Sequence, residues 1–210
     1  MEVPLPTEVG MDESTLMECA GEVVMGNRLD LVLRGVAECV TQVELEALLE
    51  AKAQPMAYIG FEPSGLLHAG SLVPMLKVRD LIAAGFRVTV LLADWHGYIN
   101  NKLDGDWDAL HAGVEYQRQM FGTFAPGTEF LTASELVRSD GYWERVLHVA
   151  KATSLKRMRR AVSIMGRSGD EAESDTSMFF YPAMQATDIY ALEVDLALGG
   201  MDQRHAHMLA

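Results

Sequence analysis

The run Ala57-Tyr58-Ile59-Gly60-Phe61-Glu62-Pro63-Ser64-Gly65-Leu66-Leu67-His68-Ala69-Gly70-Ser71 constrains this chain more than any other part of it. A short apolar segment with a β-branched residue passes through a Gly- and Pro-rich turn into residues with helical spacing. That is the layout of a first β-strand, a tight loop and a helix start. Amide groups at a helix start carry partial positive charge and favour phosphate oxygens. Gly60, Gly65 and Gly70 let backbone approach a ligand, and His68 adds a side-chain donor at the same end. On spacing alone, a Gly-rich turn in an ordinary α/β domain accounts for the stretch equally well, because it is neither the dinucleotide G-x-G-x-x-G nor the P-loop pattern.

The rest of the chain reads as alternating strands and helices. Arg28 to Val40 has helical spacing, and Thr41 stands three residues before Glu44, a capping-box arrangement that opens a second helix through Leu49. Leu72, Val73, Met75, Leu76, Val78, Leu81 and Ile82 mark the buried stripe of a helix that Gly85 closes. Arg87 to Ala93 reads as a buried parallel strand, with Asp94 to Tyr98 at its carboxyl end, where open α/β sheets place ligands. A helix over Asp106 to Gly122, a strand over Glu129 to Thr132 and one long helix over Tyr142 to Met165 follow. Gly166 to Thr176 is acidic and Gly/Ser-containing and reads as a mobile surface loop; Phe179 to Leu192 is helical and Val194 to Leu198 a short strand. The expected organisation is a disordered acidic tail over 1–26, a helical pair over 27–52 and an α/β domain over 53–210.

With 210 residues, 49% of them hydrophobic, the chain can bury one α/β core plus a small appendage. No run reaches the roughly 18 apolar residues of a membrane span, and the N-terminus lacks both the basic residues and the apolar core of a secretory signal, so a cytoplasmic setting is expected. Cys19 and Cys39 are too few for a disulfide framework, and no Cys/His cluster has zinc-ligand spacing, so no bound structural metal is expected. The net charge of −13 is concentrated at one end: residues 1–50 hold eleven Asp/Glu and two Lys/Arg, a net of −9, leaving −4 elsewhere. Against that acidity, Lys151, Lys156, Arg157, Arg159, Arg160 and Arg167 form a run with no acid between them, which suits phosphate contacts or an ordinary solvated face.

Tyr181, Gln185 and Asp188 are spaced i, i+4, i+7 and share one helix face in an otherwise apolar segment. Buried polar side chains need partners, and a ligand cavity would supply them. Taken by itself, a solvated Asp188 with Tyr181 at an edge is the simpler reading.

Several stretches in order change that balance. The Tyr58–Ser71 segment with its His-Ala-Gly-Ser resembles the HIGH region of class I aminoacyl-tRNA synthetases, and Tyr-Ile-Gly-Phe-Glu-Pro-Ser-Gly is similar to the tyrosyl-tRNA synthetases of archaeal and eukaryotic type. Leu91 to Tyr98, Leu155 to Arg160, Tyr181 to Asp188 and Gly199 to Arg204 continue the resemblance, which covers about residues 28 to 210. It implies a Rossmann-like (HUP-type) α/β fold, a parallel sheet with flanking helices preceded by a short helical segment. It implies activation of L-tyrosine with ATP and Mg²⁺ to tyrosyl-adenylate, then transfer to tRNA(Tyr). By resemblance, Asp188 and the Tyr58 hydroxyl meet the substrate phenol; Tyr181, Gln185 and Gln203 hold its ammonium group, and Glu62 belongs to the same set. His68 and Ser71 stand at the catalytic positions and, with Gly60, Gly65 and Gly70, take ATP, while Arg160 and Arg204 lie near the tRNA acceptor end. A homodimer, or a pseudo-dimer from a second copy, is implied, its interface near the Lys151–Arg167 helix.

Two departures stand out. The fourth HIGH position is Ser71 rather than His, and the family continues past the position of Ala210 into a KMSKS loop and a helical anticodon-binding domain, so the catalytic domain is expected to be incomplete at its C-terminal end. The alternative is a catalytically impaired relative that serves as a tyrosine- or tRNA-binding interaction module.

Overall fold

Alternation along the first strand divides the core into two halves. In β1 (Met56–Phe61), Ala57 and Ile59 face one side of the sheet and Tyr58 the other. The computed structural model describes residues 28–164 and 175–210, with the side chains of 163 and 164 excepted. The expected acidic tail over 1–26, Arg167 and nearly all of the Gly166–Thr176 loop lie outside the described residues.

Four parallel strands lie in the order β3-β2-β1-β4. β2 is Arg87–Leu92, β3 Glu129–Thr132 and β4 Leu196–Leu198. Parallel strands need crossovers that cover both faces, which is why β1 and β2 read as nearly continuous apolar runs. On the Ala57/Ile59 face pack α1 (28–33), α2 (Gln42–Ala51), α3 (Leu72–Ala83) and α5 (Trp107–Phe124). Their Val32, Leu49, Val78, Leu81 and Phe121 share one apolar cluster with Val88, Val90 and Leu92. On the Tyr58 face, beside α4 (Asp94–Ile99), lie α6 (Ala133–Leu136), α7 (Tyr142–Ala152), α8 (Leu155–Ile164) and α9 (Phe180–Ala191). There Leu136, Tyr142, Val146, Met158 and Met184 form the second cluster. The short α10 (Arg204–His207) follows β4.

The strands and the Rossmann-like arrangement agree with the sequence expectation. Four local features differ. The first helix stops at residue 33 instead of reaching Val40, because Gly35 takes φ +68, the left-handed conformation that ends helices. Thr41 precedes α2, but its hydroxyl bonds the Glu44 carboxylate instead of a backbone N–H, so no capping box forms there. On α3, Met75, Val78 and Leu81 are buried, whereas Val73 and Leu76 are exposed and face a cavity.

The fourth difference is a break. The long helix expected over Tyr142 to Met165 is two helices, parted where Thr153 turns extended (φ −100, ψ 128). Its hydroxyl donates back to Val149 O at 2.8 Å, and the Ser154 hydroxyl accepts from Arg157 N–H at 3.3 Å, starting α8. Consecutive Thr and Ser offer the backbone local partners that compete with helical ones.

Two cations tie the N-terminal helices to α3. Lys77 Nζ donates to the carbonyls of Leu31 (2.8 Å), Val32 and Arg34 (3.0 Å), closing the C-terminal end of α1. Burial pulls its pKa below the usual lysine value, against the nearby Asp80. Arg28 donates to Ala84 O and Leu49 O, both at 2.8 Å, and to Lys52 O and Ala53 O at 3.3 Å. One guanidinium thus joins the ends of α2 and α3. Arg28→Ala should destabilise the chain by about 1–3 kcal/mol, the range for lost hydrogen bonds to a charged group. Chemical denaturation with a midpoint unchanged from the parent chain would refute this anchoring role.

Candidate active site

The chain order β1, β2, β3 runs outward on one side, and β4 then pairs with β1 on the other. The carboxyl ends of β1 and β4 therefore flank the point where strand order reverses, the usual place for a ligand crevice in an open α/β sheet. A cavity of about 610 Å³ lies there. β1 lines it with Tyr58, Gly60 and Glu62; α4 adds His96, and α9 adds Tyr181, Gln185 and Asp188. The turn after β4 brings Gly199, Gly200, Asp202 and Gln203. Helical spacing on α9 turns all three of its polar side chains inward, at 6%, 8% and 1% exposure for Tyr181, Gln185 and Asp188.

At one end sits Asp188. Its Oδ1 accepts a hydrogen bond from Tyr142 Oη at 2.7 Å. Its Oδ2 lies 3.1 Å from His96 Nε2, an ion-pair contact so poorly aligned that neither atom has a well-formed hydrogen bond. Tyr58 is buried beside them with its side chain running toward Gly60, where an added Cβ would stand 3.6 Å from the hydroxyl. Burial, and then the Asp188 charge, push the Tyr58 and Tyr142 hydroxyls well above the usual phenol range, so both stay neutral donors. Burial works to lower the His96 pKa. The carboxylates of Asp188, Glu62 and Asp94 outweigh it and raise the value above the ordinary 6.5.

The other end is rich in acceptors. Glu62 accepts from the Tyr181 hydroxyl and from Asn100 Nδ2 at 3.0 Å, with Lys102 Nζ at 3.7 Å. Burial and then the Glu62 charge keep the Tyr181 hydroxyl protonated. The amide oxygens of Gln185 and Gln203 are buried and unpartnered, while Gln203 Nε2 is taken up by Asp202 at 2.8 Å. Unpartnered oxygens beside a carboxylate suit a cationic guest such as an ammonium group. Lys102 lies between left-handed residues, with φ of 51 at Asn101, 50 at Leu103 and 58 at Asp104, a costly backbone of the kind that gathers at functional sites.

The structure brings together Tyr58, Gly60, Glu62, Tyr181, Gln185, Asp188 and Gln203 around this cavity. Gly65, His68, Gly70 and Ser71 do not line it; they form the loop between the lining residues Ser64 and Val73. In that loop His68 Nδ1 accepts from Gly70 N–H at 3.1 Å, and Ser71 Oγ accepts from His68 N–H at 3.3 Å. His68 is exposed while Ser71 is buried, its hydroxyl committed to closing the turn. A Cβ at Gly70 would stand 2.9 Å from the His68 ring, so a larger residue there would displace that side chain. Lys151, Lys156, Arg157, Arg159 and Arg160 are exposed, and Arg157 donates to Met208 O at 3.1 Å. Arg204 is held in a two-pronged ion pair by Glu38, at 2.7 and 2.8 Å.

Sequence reading passed over His96, Asn100, Lys102 and Tyr142. His96 carried a signal, since it follows the carboxyl end of β2; Tyr142 carried none, being an aromatic residue at a helix start.

The chain matches the family described as tRNA synthetases class I (W and Y) over residues 50–210. It is 48% identical over 186 residues to a tyrosine–tRNA ligase of Aeropyrum pernix, covering 87% of this chain and 51% of that protein. To the tyrosine–tRNA ligase of Saccharolobus solfataricus it is 45% identical over 195 residues, 90% and 53% of the two chains. The crystal structure of tyrosyl-tRNA synthetase from Archaeoglobus fulgidus complexed with L-tyrosine superposes with a TM-score of 0.81 at 39% identity, over 88% of this chain and 58% of that one. The chain spans about half the length of the curated relatives it matches.

Two outcomes check the Asp188 cluster. Tyr142→Phe strips Oδ1 of its donor and should cost about 1–3 kcal/mol in urea unfolding; a smaller loss would mean that the bond is dispensable. Because the folded-state pKa of His96 is raised above 6.5, protonation stabilises the fold fully below that value, and the contribution is lost as pH rises through the raised one. The stability gap between the parent chain and His96→Gln should therefore narrow as pH climbs from about 6 to about 9. A gap that widens would reverse the assigned sign.

Proposed function

The chain belongs to the class I tRNA synthetases of the W and Y group, and from that premise we propose that it carries the tyrosine-activating site of a tyrosine–tRNA ligase. The helical pair over 27–52 leads into the catalytic domain over 53–210. The observation that carries the reading is the pairing of a buried carboxylate, Asp188, at one end of the cavity with unpartnered Gln185 and Gln203 oxygens at the other. An amino acid with a polar ring tip and an ammonium group matches both.

The substrate phenol donates to Asp188 and accepts from Tyr58, while Tyr181, Gln185 and Gln203, with Glu62 behind them, receive the ammonium group. The substrate carboxylate is then free to attack the α-phosphorus of ATP. A P–O bond forms, the bond to the β-phosphate oxygen breaks, and pyrophosphate leaves. Transfer of the tyrosyl group to the 3′ end of tRNA(Tyr) releases AMP. Side chains here do not enter the bonds that change; they position reactants and meet developing charge. Gly60, Gly65 and Gly70 admit the phosphates, with His68 donating from the loop that Ser71 holds closed. Mg²⁺ enters bound to ATP, and among the described residues no three His, Cys, Asp or Glu side chains gather to hold a metal ion.

Arg160 and Arg204 meet the acceptor end of tRNA, Arg204 exchanging Glu38 for the nucleic acid. Trp143 and Leu147, 48% and 63% exposed on α7, suit contact with a second copy. Among the described residues no helix is long and apolar enough to cross a membrane. A role in translation suits a cytoplasmic setting.

Calorimetry with the two amino acids tests the reading. Tyrosine should bind in preference to phenylalanine, and Asp188→Asn should cut that preference roughly 10- to 100-fold, the equivalent of one hydrogen bond to a charged group. Equal affinity of the parent chain for both amino acids would remove Asp188 from its role.

A further inference from the structure

Asp188 Oδ2 and His96 Nε2 are both sealed from solvent and 3.1 Å apart, and neither has a well-aligned hydrogen bond. One is an acceptor, and the other is a nitrogen able to donate. Groups so placed are costly to leave unmet, and native interiors rarely tolerate two side by side. They attract as an ion pair, but their poor alignment leaves each short of a well-formed hydrogen bond. Two neighbouring hydroxyls are already committed: Tyr142 to Oδ1 of Asp188, and Tyr181 to Glu62. His96 meets Tyr181 edge-on with ring centroids 5.0 Å apart, a contact that fixes the imidazole plane and uses neither nitrogen.

A hydroxyl oxygen suits this pair. It has one hydrogen to give and two lone pairs to receive with. We infer that His96 is a specificity-determining residue that donates from Nε2 to the phenolic oxygen of the substrate. The phenol gives its hydrogen to Asp188 Oδ2, takes one hydrogen bond from Tyr58 and the second from His96, and leaves none of its valences empty. Phenylalanine leaves both buried atoms orphaned, so discrimination comes from a pair of groups with opposite hydrogen-bonding needs. Tyr142 acts behind them as a positioning residue through Oδ1. This assignment rests on the tyrosine-binding reading above and adds to it a residue on a different element, α4.

The test is a comparison of ligands in the 210-residue chain. L-Tyrosine and L-phenylalanine are titrated calorimetrically into the parent chain, His96→Gln and His96→Asn, with folding followed by near-UV circular dichroism. Tyrosine affinity should fall roughly tenfold or more in both variants, while phenylalanine affinity stays within about twofold. Equal losses for the two ligands would make His96 a structural residue only, and unchanged tyrosine affinity would remove it from the site; either result overturns the inference while leaving tyrosine recognition intact. Failure of the parent chain to prefer tyrosine would instead overturn the underlying reading and the inference with it. The parent chain also answers without substitution. In ¹⁵N-histidine spectra, the Nε2 resonance of a buried imidazole should shift on addition of tyrosine and not of phenylalanine, and spectra that respond to both ligands alike would refute the contact.

Discussion

A carboxylate that has lost its water must find partners within the protein or give up its charge. Asp188, at 1% exposure, meets that demand with Tyr142 on one oxygen and the His96 imidazole near the other. Those two residues sit on α7 and α4, so one side chain of α9 holds three helices in register on the Tyr58 face of the sheet. The same demand explains the neutral hydroxyls around it. Tyrosine side chains beside a buried negative charge keep their protons and act as donors.

The sheet decides where this cluster opens. β4 pairs with β1 instead of extending past β3, and the crevice so formed receives the ends of β1 and β4 together with the inward face of α9. Along β1, period-two alternation gives Ala57 and Ile59 to one apolar cluster and Tyr58 to the other. A one-residue slip would move the Tyr58 hydroxyl to the wrong face of the sheet. The make-up of this end of the cavity therefore depends on strand register as much as on the helices around it.

Much of this was legible in the sequence, and the reason is locality. The strands announced themselves as short β-branched runs, and β3 was read over the same residues it occupies, Glu129–Thr132. The shared face of Tyr181, Gln185 and Asp188 followed from helical spacing alone. What stayed hidden depends on contacts between distant parts of the chain. Tyr142 acquires its role from a residue 46 positions away, and His96 acquires its environment from α9. The end of α1 at residue 33 and the break at Thr153 were misread for a different reason: apolar periodicity continues through both, and backbone chemistry at Gly35, Thr153 and Ser154 overrides it. The stripe on α3 was read as uniformly buried because periodicity cannot tell a core from the wall of a cavity, and Val73 and Leu76 belong to the wall.

The interruption between α7 and α8 has a consequence for how the two helices are set. α7 carries Tyr142, bonded to Asp188, whereas α8 presents Lys156, Arg157, Arg159 and Arg160 outward and, among its described side chains, buries Met158 and Ala161. A continuous rod would give both segments one axis. The break lets each take its own: α7 follows the bond from Tyr142 to Asp188, and α8 follows Met158 in the core and Arg157 on Met208 O.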